Sequence, residues 1–88
     1  MKVLCSSLYE KQLKEILEEG IEQDFEGVKK FKSYLDTVMI NLPTKIKKYK
    51  KSIYFDDENI KDIEFQGLRI PFLIDKNTFI LLGIKKIF

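Results

Sequence analysis

A chain of 88 residues, 44% apolar and 34% charged, has material for one domain with a modest core, so wholesale disorder is not expected. The absence of histidine and the single cysteine, Cys5, exclude an internal disulfide framework and a zinc-type ligand set, so no metal or cofactor is expected. They also remove the usual general base near neutral pH, leaving proton transfer to lysine, tyrosine, aspartate or glutamate.

The opening "KVLCSS" reads as a short strand ended by two serines, with Cys5 as a largely buried free thiol. A helix follows, introduced by a capping box in which Ser7 caps and Glu10 reaches back. Its apolar stripe is Leu8, Leu13, Ile16, Leu17 and Ile21, with Glu15, Glu18, Glu19 and Glu22 on the other side. The pattern breaks between Gly20 and Asp24. Asp24 fits the N-cap of a second helix with the stripe Val28, Phe31, Leu35, Val38, Met39 and Leu42, ended by Pro43. Two such helices make a hairpin whose stripes need one shared apolar surface. No apolar run approaches the roughly 18 residues that span a bilayer, and "MKVLCSS" turns polar too soon for a signal peptide. The expected location is the cytoplasm, with no membrane partner.

Next comes "KIKKYKK". Lys45, Lys47, Lys48, Lys50 and Lys51 surround Tyr49, and Tyr54 follows. Lysines interleaved with aromatics can hold a phosphate backbone and stack on bases, and the same run also reads as a solvated loop. Charge is uneven along the chain: residues 1–44 carry about −2 and residues 45–88 about +4 by direct count.

From Ile53 the period shortens to 2, the signature of strands. "NIKDIEFQ" alternates Lys61, Ile63 and Phe65 with acids, "LRIPFLID" places Leu68, Ile70, Phe72 and Ile74 on one face, and "TFILLGIKK" is apolar to Gly83. Gln66-Gly67 marks a two-residue hairpin and Asp75 to Thr78 a second turn. Pro71 lacks an amide and must sit unpaired or at a bulge. The predicted fold is α+β, β-α-α-β-β-β, with an antiparallel sheet and the helical hairpin on one face, residues 1–88 forming one domain. Met39, Leu42, Phe31, Leu35, Leu13, Leu17, Ile70, Phe72, Ile74 and Ile80 are its expected core.

Arg69, the one arginine beside 15 lysines, falls opposite Leu68, Ile70, Phe72 and Ile74 and projects from the helix-free side of the sheet. It reads either as a surface partner for Glu64 on the neighbouring strand or as a bidentate fork for phosphate or carboxylate, a geometry lysine cannot supply. A coding preference for lysine also accounts for its being alone.

The element order, with "GLRIPFLID" followed by "TFILLGIKK", resembles the RelE/ParE superfamily of toxins from type II toxin-antitoxin modules, over the whole chain. The resemblance implies growth inhibition neutralised by a cognate antitoxin. RelE-like members cleave messenger RNA on the ribosome, and ParE-like members inhibit DNA gyrase without a nuclease site; a degenerate, antitoxin-binding homologue is a third reading. For the nuclease, the resemblance carries catalysis to Arg69, Lys50, Lys51 and Tyr54, and nucleic-acid binding to Lys45, Lys47, Lys48, Tyr49, Lys85 and Lys86. The chain departs from the nuclease pattern in lacking histidine and a second arginine, and in having Phe88 where a terminal tyrosine is often found.

Overall fold

A computed structural model describes residues 2–87; Phe88 lies outside the described residues. Strand β1 (Lys2–Cys5) leads into helix α1 (Ser7–Gln23), which passes through Asp24 into α2 (Phe25–Asn41). Two short 3-10 turns, Leu42–Thr44 and Ile46–Lys48, carry the chain to β2 (Lys50–Lys51). Then follow β3 (Ile60–Phe65), β4 (Leu68–Asp75), β5 (Thr78–Leu81) and β6 (Lys85–Lys86). The α+β layout with a helical hairpin on a sheet is the predicted one.

The helices start and stop where local chemistry dictates. Asp24 closes one helix and opens the other: its amide donates to Gly20 O at 2.8 Å, and its carboxylate accepts from Gly27 N–H at 3.0 Å. At the first helix the cap is Ser6 and not Ser7. Ser6 Oγ accepts from Tyr9 N–H at 3.0 Å and donates to Leu82 O at 3.0 Å, so the cap also ties α1 to the end of β5. The expected Ser7–Glu10 box is thus displaced by one residue, because the serine with extended backbone is the one leaving the strand. Where the helices cross near Gly20, a methyl group there would stand 2.5 Å from Val28 Cγ2.

The sheet is mixed, in the order β1-β5-β4-β3-β2, with β6 also paired to β4. β3, β4 and β5 form the predicted antiparallel meander, but β1 returns parallel to β5, since α1 and α2 carry the chain back across the sheet. Gln66 and Gly67 both take positive φ, 46° and 78°, the type I′ pattern that a two-residue hairpin requires. Pro71 stays in register opposite Asp62, with no bulge. Its missing amide faces the gap between β5 and β6, where its carbonyl accepts Leu82 N–H at 2.9 Å.

One apolar cluster joins hairpin and sheet. Leu35, Leu42, Ile63, Ile70, Phe72, Phe79 and Leu81 are fully buried, with Leu13, Phe31, Met39 and Ile74 packed around them. Phe72 lies edge-on to both Tyr49 and Phe79, at 5.8 and 6.1 Å between centroids. Two expected core residues lie elsewhere. Ile80 pairs with Leu73 and Leu4 on the face away from the helices, because the run "TFILL" places Phe79 and Leu81 inward. Leu17 is half-buried in a groove where the hairpin's bend meets the Gln66-Gly67 turn. Cys5 is exposed, not buried: it ends a strand at the edge of the sheet, paired among the described residues with β5 alone.

Candidate functional site

β2 pairs with β3 only through Lys50↔Asp62 and Lys51↔Lys61, so the edge of β3 from Ile63 to Phe65 is left unpaired. A groove of about 640 Å³ follows this edge. Lys48, Tyr49, Lys50, Lys51 and Ile53 form one wall; Asp62, Glu64 and Arg69 form the other. The groove therefore unites the end of the lysine-rich run with the single arginine, two segments far apart in sequence.

Arg69 projects from the helix-free face, as its alternation along β4 requires. Its side chain is only 17% exposed and is held by two carboxylates. Nη2 donates to Glu64 Oε1, the cross-strand partner foreseen from the sequence. Nη1 donates to Asp62 Oδ2 at 3.4 Å, and that same oxygen accepts Ile53 N–H at 2.9 Å. Asp62 Oδ1 and Arg69 Nε are buried and have no hydrogen-bond partner among the described residues. Asp62 was not among the expected site residues, though the signal was present: once Glu64 faces Arg69 across a two-residue turn, Asp62 lies diagonally opposite on the same face.

The other expected residues are dispersed. Tyr49 turns toward the core, edge-on to Phe72, and burial raises its phenol pKa, so its ring is committed to packing. Lys51 pairs with Asp56 at 2.9 Å. Tyr54 lies outside the groove, in a separate cleft beside Pro71 and Gly83, with Lys85 Nζ 5.6 Å from its ring centroid; Lys85 is itself opposite Arg69 in the β4–β6 ladder. Lys86 binds Glu19 at 3.2 Å, away from the groove. Lys45 and Lys47 are exposed on the turns before β2 and do not line the groove. Positive charge thus concentrates at Lys48, Lys50 and Arg69, with Lys85 beside them, and is partly offset by Asp62 and Glu64.

No protein-family model matches the chain, and no curated protein does. Among solved structures, the chain is similar to the solution structure of the conserved hypothetical protein HP0894 from Helicobacter pylori. The two align with a TM-score of 0.57 at 14% identity, over 98% of this chain and 93% of that one. At that identity the likeness establishes a shared fold across nearly the whole of both chains. No helix among the described residues is long and apolar enough to cross a membrane.

Proposed function

We propose that this chain is a toxin of RelE/ParE type, neutralised by a cognate antitoxin, that arrests growth by cleaving messenger RNA on the ribosome. The observation that carries this reading is the convergence of Lys48 and Lys50 with Arg69 on one groove beside an unpaired strand edge. Cleavage of an RNA phosphodiester builds negative charge on the phosphate oxygens. Fixed cations at that point can lower the barrier by several kcal/mol, and a ribosome holding the strand in line would add the positioning. Tyr54, whose ring meets Lys85 across the β4–β6 ladder from Arg69, is the candidate of this reading for handling a proton. The unpaired edge of β3 and the cationic groove also offer an extended, acidic antitoxin segment both backbone partners and opposite charge.

One observation favours a second reading. Arg69 is neutralised within the chain by Asp62 and Glu64, which fits a ParE-like gyrase inhibitor or an antitoxin-binding homologue that needs no free phosphate fork. Growth arrest on induction separates the two. Under the nuclease reading Arg69→Lys and Arg69→Ala both relieve arrest while the protein still melts cooperatively, because an ammonium cannot make two parallel hydrogen bonds. Full arrest by a well-folded Arg69→Ala protein would transfer the conclusion to the gyrase-inhibitor form of the second reading, and no arrest by the wild-type chain to its antitoxin-binding form.

A further inference from the structure

Arg69 presents its donors in a plane, and its surroundings use them unequally. Nη1 is taken by Asp62 and Nη2 by Glu64, while Nε is buried and has no partner among the described residues. Nε and Nη2 together form the side-on edge of the guanidinium, which donates two parallel hydrogen bonds to a phosphate or carboxylate. Half of that edge is idle, and the other half is occupied by a single carboxylate oxygen.

The two carboxylates are held very differently. The Asp62 side chain is 4% exposed and tied to Ile53 N–H, with its residue laddered between Lys50 and Pro71. The Glu64 side chain is 62% exposed, stands on the unpaired stretch of β3, and makes no side-chain hydrogen bond other than that to Arg69 among the described residues. Rotating Glu64 into solvent breaks one exposed contact; moving Asp62 would break up a buried cluster.

The geometry points to Glu64 as a displaceable gate over a phosphodiester site. Its carboxylate occupies the place of the anion on Nη2. A phosphate replaces it by binding Nη2 and Nε together, while Asp62 keeps the guanidinium plane fixed through Nη1. One anion exchanges for another, so the arginine is never left desolvated and unpaired during the exchange. Lys50, opposite Asp62, and Lys85, opposite Arg69, supply the surplus positive charge that draws the phosphate in. The inference rests on the phosphate reading of Arg69 given above and adds to it an autoinhibitory contact within the chain.

Because Arg69 is the sole arginine, its Nε–H gives one side-chain resonance in a nitrogen-15-labelled sample of the full chain. Inorganic pyrophosphate titrated against that resonance tests the gate directly. Glu64→Gln removes the charge, and Glu64→Ala removes the contact that a glutamine oxygen could still make. Both are expected to lower the half-saturating pyrophosphate concentration about fivefold, the equivalent of the roughly 1 kcal/mol that an exposed ion pair holds. In an Arg69→Lys background, followed by the Ile63 and Glu64 backbone amides, the same substitutions are expected to give no more than a small gain. Unchanged half-saturation, or an equal gain in both backgrounds, overturns the gate, the latter because it reports only a general loss of negative charge. Induction in cells is a separate arm: pyrophosphate binding as described with no growth arrest by any variant discards the toxin reading and keeps the site.

Discussion

At the scale of single residues, the Arg69 cluster makes an asymmetric claim about stability. Removing Asp62 leaves Ile53 N–H without its acceptor and Arg69 with one partner, at a buried position. Asp62→Ala is therefore expected to lower the unfolding free energy by about 1–3 kcal/mol, and Glu64→Ala by less than about 1 kcal/mol. Urea unfolding followed by circular dichroism checks both, and equal losses would show that the two carboxylates are not held differently. Tyr9 supplies a test through pH. Burial, reinforced by the neighbouring Cys5 and Asp36, pushes its phenol well above the ordinary value. The unfolded chain releases that proton near pH ~10 while the folded chain retains it, so the unfolded state binds fewer protons and stability falls as pH rises past that point. Tyr49, raised by burial, acts in the same direction. Between pH 8 and pH 11, Tyr9→Phe is expected to lose less stability than the wild-type protein; parallel losses would remove Tyr9 from the alkaline response.

At the scale of elements, the cap of α1 distinguishes two neighbouring serines. Ser6→Ala loses both the Tyr9 amide contact and the tie to Leu82, and is expected to cost about 1–2 kcal/mol. Ser7→Ala, at a helical position without a capping bond, is expected to cost less than about 0.5 kcal/mol. Thermal melts of the two variants measure the difference, and the reverse order would restore the Ser7 box. Apolar period and turn chemistry made both helices, the Asp24 cap and the three main strands legible. They did not decide which serine left the strand, since either can accept the same amide. "TFILL" is apolar on both sides, so alternation could not say whether Phe79 and Leu81 or Ile80 face the core, and packing against Phe72 decided it. The two-residue strands β2 and β6 are too short to show a period at all. Cys5 was expected inside because thiols are usually buried; its exposure follows from β1 lying at an edge, a consequence of parallel pairing that local pattern does not carry. Ellman's reagent should therefore modify Cys5 in the folded protein, more slowly than a free thiol at neutral pH, because partial desolvation by its neighbours and the nearby Glu10 carboxylate raise its pKa.

At the scale of the whole molecule, hairpin and sheet share one apolar cluster centred on Phe72, so both layers depend on it. Phe72→Ala, which empties the contact with Tyr49 and Phe79, is expected to cost about 3–5 kcal/mol and to loosen the wall of the groove that Tyr49 supports. Around that core the candidate site was legible in part. The sequence showed the lysine-rich run, the lone arginine and the Glu64 pairing. It did not show that Asp62 would also reach the arginine, that Tyr49 would turn inward, or that Lys86 would be taken by Glu19, because each depends on register and packing between distant segments. The proposed action of the groove on ribosome-bound messenger RNA is tested by pulse-labelling of protein and DNA synthesis in cells after induction, with the ends of a reporter transcript mapped at the same times. Protein synthesis is expected to stop first, with new transcript ends that appear with the wild-type chain and are absent with Arg69→Ala; DNA synthesis stopping first, with the transcript intact, would overturn the proposed messenger RNA target.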